Sequence, residues 1–368
     1  VTRRAYAHRH SADAPDDVAA LEAAFASGAI EAKSVVAILG KTEGNGCVND
    51  FSRGFAVRAL SDALARAGAD PMEVCLVMSG GTEGGLSPHF LVFEARDVDA
   101  PASAGALALG RARTPALAPE DLGRLAQVDM VAEGVLQAIR DAGLASTDDA
   151  HFVQIKCPLL TAARVADAER RGRATTTRDT LKSMSLSRAA SALGVAVALG
   201  EVSRVRLSET DIGRNFALYS ERASASAGVE LIDHEIVVIG TSAQWTGPLR
   251  VDHALMRDAI DIEPVHEALT RLGLPASGQL TPAQRENIVA LLAKAEASSD
   301  GTLRGLRHTM LNDSDISSTR HARAFVAGAL AGVVGHAEIF VSGGAEHQGP
   351  DGGGPVAIIV DTEPGRWA

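Results

Sequence analysis

Glu221-Arg222-Ala223-Ser224-Ala225-Ser226-Ala227-Gly228-Val229-Glu230 is the stretch on which the reading of this chain turns. Its core, Ser226-Ala227-Gly228-Val229-Glu230, returns as Ser79-Gly80-Gly81-Thr82-Glu83 and as Ser342-Gly343-Gly344-Ala345-Glu346. Each reads Ser, a very small residue, Gly, any residue, Glu. One such pentapeptide is an ordinary turn, but three in one chain point to an internal repeat. Each copy is preceded by a lysine and then by an arginine that follows Ser or Thr. These are Lys41 and Arg53, Lys156 and Arg188, and Lys294 and Arg320. The lysines close or follow apolar runs: Val35–Gly40, Phe152–Ile155 and Ile288–Ala293. The spacings differ between copies, as expected of old duplications with loop insertions.

Working outward, the first unit reads strand, helix, strand, strand: Val35–Leu39, Phe55–Ala67, Val74–Met78 and Phe90–Phe93, with a helix over Asp16–Ile30 before them. The Ala- and Pro-rich stretch Asp99–Pro119 marks a first boundary. Leu122–Ala142, Ala162–Arg170 and Leu186–Leu199 read as helices, and His151–Ile155 and Ile236–Ile239 as strands, the last ended by Gly240. A second boundary falls at Ser242–Pro248. Beyond it, residues 254–271, Pro282–Ala297 (carrying Lys294) and His321–Val334 read as helices, and Ala337–Val341 and Val356–Val360 as strands. Ser79 and Ser342 directly follow strands, whereas Ser226 reads as a loop residue. The expectation is an α/β protein of three similar units, residues 1–103, 104–248 and 249–368.

Bulk properties narrow the function. The 368 residues are 46% hydrophobic and 22% charged, ordinary values for a soluble chain. No apolar run has membrane-spanning length, no secretory segment is visible, and the first residue, Val1, suggests a trimmed terminus. A net charge of -11 argues against nucleic acid and anionic membrane as partners. Three cysteines, Cys47, Cys75 and Cys157, form no CxxC pair and fit a reducing, cytoplasmic compartment.

Competing motifs fail on their own chemistry. Gly40-Lys41-Thr42 resembles the end of a P-loop, but Val35 stands where that motif needs glycine. His234-Glu235 lacks the second histidine of a zinc protease. The Gly-x-Ser-x-Gly elbow is absent, and Cys157 reads as a small buried hydrophobe. Serine with lysine remains. A neutral lysine can take the hydroxyl proton if burial or nearby positive charge depresses its pKa. The small residue and glycine after each serine let backbone N–H groups approach a carbonyl oxygen. Lys41 is followed two on by Glu43 and Lys294 by Glu296, whereas Lys156 is followed two on by Pro158. A carboxylate on the same face holds a lysine protonated. Lys156 is therefore expected to be the neutral base and Ser226 the nucleophile. Three Lys/Arg/Ser sets around a pseudo-threefold axis suit a compact planar ring with three carbonyls, a cyclic imide.

These segments resemble one family. Gly40–Gly46, Met78–Gly84, Lys156–Thr161, Ser224–Gly228 and Ser342–Pro350 are similar to the cyanuric acid hydrolase and barbiturase family, and the likeness runs from about Val35 to Val360. The resemblance implies the Toblerone fold, three α/β repeats around one central site. It implies hydrolytic opening of an s-triazine ring to carboxybiuret, which decarboxylates to biuret. The alternative is barbiturase, opening barbituric acid to ureidomalonate. Lys156 would activate Ser226. Arg53, Arg188 and Arg320 would hold the ring with Lys41, Lys294 and the serine loops Ser79-Gly80, Ser226-Ala227 and Ser342-Gly343. It also implies a structural divalent cation, Mg or Ca, at Glu296 with backbone oxygens around Ala345, Gln348, Gly349, Pro350 and Gly353. No organic cofactor is implied, and the assembly would be a homotetramer.

Overall fold

The computed structural model describes residues 1–364. In chain order the first group of elements is β1 (Thr2–Ser11), α1 (Ala19–Ser27), β2 (Val35–Thr42), α2 (Phe51–Arg66), β3 (Cys75–Gly80) and β4 (His89–Val98). The second is β5 (Ala106–Arg113), α3 (Leu125–Ala142), β6 (Ala150–Pro158), α4 (Ala162–Arg170), α5 (Thr180–Ala198), β7 (Ala223–Gly228) and β8 (Glu235–Ser242). A two-residue strand, β9 (Trp245–Thr246), leads to the third. This holds β10 (Leu249–Met256), α6 (Glu263–Arg271), α7 (Pro282–Arg285), β11 (Ile288–Ala295), the ribbon β12 (Thr302–Leu303) and β13 (Leu306–Arg307), α8 (Ser318–Val334), β14 (Phe340–Gly343) and β15 (Gly354–Asp361).

The three main sheets share one topology. Their strand orders are β3-β2-β4-β1, β7-β6-β8-β5 and β14-β11-β15-β10. In each, the lysine strand lies parallel to the serine strand and antiparallel to the last strand of its group. The lysine strand even bulges at the same place, between Val35 and Ala37, Ala150 and Phe152, and Ile288 and Ala290. The first sheet gains β9, which pairs parallel with β1.

One face of each sheet is turned to a shared core. Leu39, Val77 and Phe93 meet Leu109, Phe152 and Ile239, and Leu292, Phe340 and Ile359 there. The opposite faces carry separate cores under their own helices. Strands buried on both faces need apolar residues at every position, which explains the unbroken runs before the lysines. Among the described residues no helix is long and apolar enough to cross a membrane.

Several expectations are corrected here. Pro282–Ala297 is helical only through Arg285, and Lys294 lies on β11. Its Ala/Leu-rich run has no period-two signal because both faces are buried. Ser226 sits on β7 and not in a loop. Ala223, Ala225 and Ala227 face α5, where Met184, Ala192 and Val195 leave room only for small side chains, so the strand lacks the usual β-branched residues. Of residues 254–271, only Glu263–Arg271 is helix. Strands β1 and β5 were missed, the second inside the stretch read as a boundary. Gly240 does not end β8; a Cβ there would stand 2.5 Å from the Asp149 carbonyl oxygen, so packing demands the glycine.

Candidate active site

The alternation along each strand decides what reaches the axis. Residues two apart share a face, so Lys41 follows Leu39, Lys156 follows Phe152 by two such steps, and Lys294 follows Leu292. On the serine strands Ser79 follows Val77 and Ser342 follows Phe340 in the same way. Parallel pairing sets each lysine directly opposite its serine: Lys41 with Ser79, Lys156 with Ser226, Lys294 with Ser342. All six are buried. The three serines converge on one tight cavity of about 20 Å³, whose wall includes Arg53, Arg188, Arg323, Gly80, Ala227 and Gly343. Ser226 Oγ lies 3.0 Å from Ser342 Oγ.

The polar contacts run around the axis in two senses. Each lysine donates to the carbonyl just before a serine of another unit: Lys156 to Met78 at 2.8 Å, Lys41 to Val341 at 2.9 Å, Lys294 to Ala225 at 2.9 Å. The arginines run the other way. Arg188 forks onto Glu346 at 2.8 and 2.6 Å, and Arg323 onto Glu83 at 2.6 and 2.7 Å. Symmetry would put Arg53 on Glu230. Instead Arg53 donates to the Ala227 carbonyl at 2.8 Å, its buried Nε has no hydrogen-bond partner, and Glu230 lies 2.7 Å from Lys156 Nζ. The backbone breaks the pattern at the same point. Gly81 and Gly344 have φ of 103° and 81°, whereas Gly228 is not among the glycines with positive φ.

This asymmetry overturns the argument from Glu43 and Pro158, though Glu296 does act on Lys294. Glu43 is exposed and is not among the charges acting on Lys41. Burial, then Arg323, drives the Lys41 pKa well down. Burial, then Arg188, lowers Lys294 to about 7, with Glu346 and Glu296 opposing. Burial also lowers Lys156, but Glu230 opposes it at contact distance. Among the described residues Lys156 is thus the one of the three lysines in ion-pair contact with a carboxylate, supplied by the fold and not by its own strand. Its ammonium is turned to Glu230 and the Met78 carbonyl, whereas Lys41 reaches Ser79 Oγ and Lys294 reaches Ser342 Oγ, both at 3.2 Å. Burial pushes Glu230 up, but Lys156 and Arg53 outweigh it and hold the carboxyl low.

The whole-chain comparisons agree with this architecture. Residues 7–361 match the family described as amidohydrolase ring-opening protein (Amido_AtzD_TrzD). The chain belongs to the ring-opening amidohydrolases. It is 63% identical over 365 residues to the cyanuric acid amidohydrolase of Bradyrhizobium sp. (strain ORS 375), covering 98% of both chains. It is 61% identical over 354 residues to that of Azorhizobium caulinodans, covering 96% of this chain and 97% of the relative. A crystal structure of the A. caulinodans hydrolase superposes with a TM-score of 0.90 at 59% identity, covering 98% of this chain and all of the other. A second cyanuric acid hydrolase structure, described as arising by structural concatenation, gives 0.92 at 47% identity with the same coverage.

In this amidohydrolase the sequence reading brought the right strands together and misplaced one arginine. Arg320 lies off the cavity, about one-third exposed, with its Nε on Glu83 Oε1 at 2.9 Å. Arg323, one helical turn on, is buried and lines the cavity. The signal was present: Arg323-Ala324-Phe325 repeats Arg53-Gly54-Phe55, which the Ser/Thr-Arg rule passed over. Glu230 was missed as a lysine partner because it lies on another strand's end.

The loop matched to a cation winds through Gly344, His347, Gly349 and Gly352, all at positive φ. Ala345 and Pro350 carbonyls already accept from Gln348 N and Gly353 N, at 2.9 Å each. The Gln348 side chain is occupied, its Oε1 accepting from Ala225 N at 2.7 Å, so only its backbone oxygen faces outward duty. Glu296 is half-buried, and its pKa is raised by desolvation and by Glu346 beside it. A half-buried carboxylate without an ion pair among the described residues, next to a Gly-rich loop of carbonyls, is a donor set suited to a hard cation.

Proposed function

We propose that this amidohydrolase opens cyanuric acid to carboxybiuret, which loses carbon dioxide to give biuret, using Ser226 as nucleophile and Lys156 as base. The relatives' names support the substrate. The dyad rests on one observation: the threefold pattern fails only where Glu230 leaves Arg53 for Lys156.

In unit one and unit three, the lysines donate to their serines, so those oxygens act as acceptors and their hydroxyl protons are free for substrate carbonyls. Ser226 carries no lysine donor and touches only the Ser342 hydroxyl. The planar ring, seated on the axis, presents one carbonyl to each serine loop and excludes water from the cavity. Burial then favours the uncharged form of the Lys156/Glu230 pair, with the shared proton on Glu230 and neutral lysine free to turn to Ser226. Lys156 takes the hydroxyl proton as Oγ attacks the carbonyl carbon. The resulting ammonium returns that proton to the departing ring nitrogen, leaving an acyl-enzyme. Water attacks the acyl carbon with Lys156 again as base, and Ser226 leaves protonated. Backbone N–H groups at the Ala227-Gly228 end of β7, with Arg53 nearby, stabilise the oxyanion.

A divalent cation, Mg or Ca, held by Glu296 and the carbonyls of the Ala345–Gly353 loop would compensate the paired charge of Glu296 and Glu346. It would fix Arg188 through Glu346 without meeting the ring. A cytoplasmic homotetramer belongs to the same reading, and light scattering of the purified enzyme checks the assembly.

Product release from cyanuric acid, with barbituric acid in parallel, tests the substrate; faster turnover of barbituric acid would make the enzyme a barbiturase. Peptide mapping of an acyl-enzyme trapped at acid pH tests the dyad. A label on Ser79 or Ser342 would move the nucleophile to another unit.

A further inference from the structure

Away from the axis, where β6 of the second unit meets β10 of the third, three ligand atoms converge. His151 Nδ1 stands 2.9 Å from His253 Nδ1, and Asp252 Oδ1 lies 3.7 Å from the first and 3.9 Å from the second. A point equidistant from the corners of that triangle lies about 2.1 Å from each atom, the bond length of a divalent transition ion to imidazole nitrogen and carboxylate oxygen. It lies in the ligand plane, subtending the two nitrogens at about 90°, so the three protein atoms cannot form three corners of a tetrahedron. Such a centre takes its remaining ligands from solvent above and below.

We propose that His151, Asp252 and His253 form a binding site for a divalent transition cation of the zinc type, joining the second unit to the third. Two imidazoles and one carboxylate favour such an ion over magnesium or calcium, which take all-oxygen sets. The surroundings are arranged for it. The outer ring nitrogen of His151 lies 3.5 Å from Thr241 Oγ1, which orients the ring. Arg271 engages the other carboxylate oxygen, Asp252 Oδ2, at 2.5 Å, while Oδ1 accepts from the His253 backbone N–H at 2.7 Å and keeps a second lone pair for the ion. Arg222, the other nearby cation, is tied to Glu201 at 3.0 Å and to the Thr147 and Ala150 carbonyls. Both rings are partly exposed, and His253 borders an open hollow, so an ion and two waters have access. The site is remote from the serines and independent of the reaction proposed above.

Chelator-treated full-length enzyme titrated with ZnCl₂, and with MgCl₂ as control, tests the site by calorimetry. One zinc per chain is expected, with no matching magnesium isotherm for this site. His151→Gln/His253→Gln is expected to weaken zinc at least a hundredfold while leaving cyanuric acid turnover unchanged. Its thermal midpoint without metal reports whether the variant folds. Should that variant lose fold, Asp252→Asn supplies the comparison, with a tenfold or greater loss expected. Co²⁺ substituted for zinc should give the weak visible absorption of a five-coordinate ion. Wild-type enzyme that takes up no zinc, or a folded double variant that binds it as tightly, overturns the proposal; the 2.9 Å contact is then a plain hydrogen bond between one donor and one acceptor ring.

Discussion

Replacing Glu230 by glutamine asks whether the broken symmetry serves the chemistry. The carboxylate lies 2.7 Å from Lys156 Nζ, both groups nearly buried. At that separation a unit pair in a medium of effective dielectric about 20 attracts by about 6 kcal/mol. Desolvation of the carboxylate returns part of this, and the remainder favours the ammonium. The sign follows directly. Burial lowers the Lys156 pKa and Glu230 opposes it, so removing the carboxylate lets the pKa fall further. A base works when unprotonated, so activity governed by Lys156 rises with pH through its pKa.

Glu230→Gln should therefore carry the acid limb of the pH profile of kcat/KM to lower pH. Arg53 supplies the control, since its Nε makes no hydrogen bond and meets only Asp50 at 3.6 Å, which makes it Glu230's alternative anchor. Arg53→Lys should lower kcat/KM without moving the limb to lower pH. Steady-state rates from pH 5 to 10, with enzyme confirmed folded at each pH, provide the measurement. If kcat falls in Glu230→Gln while the limb stays in place, Glu230 acts through Arg53 alone and Lys156 is not the titrating base. A limb that instead moves in Lys294→Met would shift the role to the third unit.

Four further outcomes follow from the same geometry. Ser226→Ala should cost on the order of 10⁴-fold or more in kcat while retaining cyanuric acid binding by calorimetry, whereas Ser79→Ala and Ser342→Ala should retain acyl-enzyme formation at reduced rate. Arg323→Lys should lower kcat/KM at least tenfold by losing the fork on Glu83, and Arg320→Lys, off the cavity, less than threefold in the same assay. Gly344→Ala should raise KM and lower stability by about 1–3 kcal/mol in thermal melts, because φ is 81° and the new Cβ would stand 2.5 Å from the Arg188 guanidinium carbon. Wild-type enzyme should gain about 2.7 kcal/mol of stability at a cation concentration a hundredfold above Kd, and Glu296→Gln should lose that response.

The fold was legible wherever repetition could be read. Three serine pentapeptides, three lysines and the apolar runs before them placed the strands that matter, and Arg53 and Arg188 followed from their neighbours. Reading failed where one position had to serve two demands. Ala223–Ala227 is a strand whose small side chains answer to α5, so propensity argued against it. The run before Lys294 is a strand with both faces buried, so periodicity was silent. Arg320 was preferred over Arg323 because a Thr-Arg dipeptide matched its counterparts, whereas the side chain that reaches the axis is decided by helix phase. Glu230 lay beyond local reading altogether: whether it meets Arg53 or Lys156 depends on how β7 ends against β3 and α2. Both candidate cation sites need residues from distant strands, and only the resemblance brought Glu296 into view.

The opposite senses of the lysine and arginine contacts explain why three units in one chain differ from three separate subunits. Each serine strand is gripped from one side by a neighbour's lysine, on the carbonyl before the serine. Two of the three serine loops are gripped from the other side by an arginine, on the glutamate that follows. A ring of identical copies would repeat both grips three times, and every lysine would meet the same charge. It would then hold three equal bases around a ring that has to be opened only once. Linking the copies covalently lets one glutamate change partner while the other two stay with their arginines. Arg188 and Arg323 remain fixed, with both guanidinium forks spent on carboxylates, and serve to shape the cavity. Arg53, from the first unit, holds its Nε only against Asp50 at 3.6 Å, and Lys156 keeps a carboxylate in contact, so the second unit alone holds a movable proton. Restoring symmetry should test that division: a change that pins Glu230 on Arg53 throughout the cycle would leave three alike units, a sound binding site, and slow ring opening.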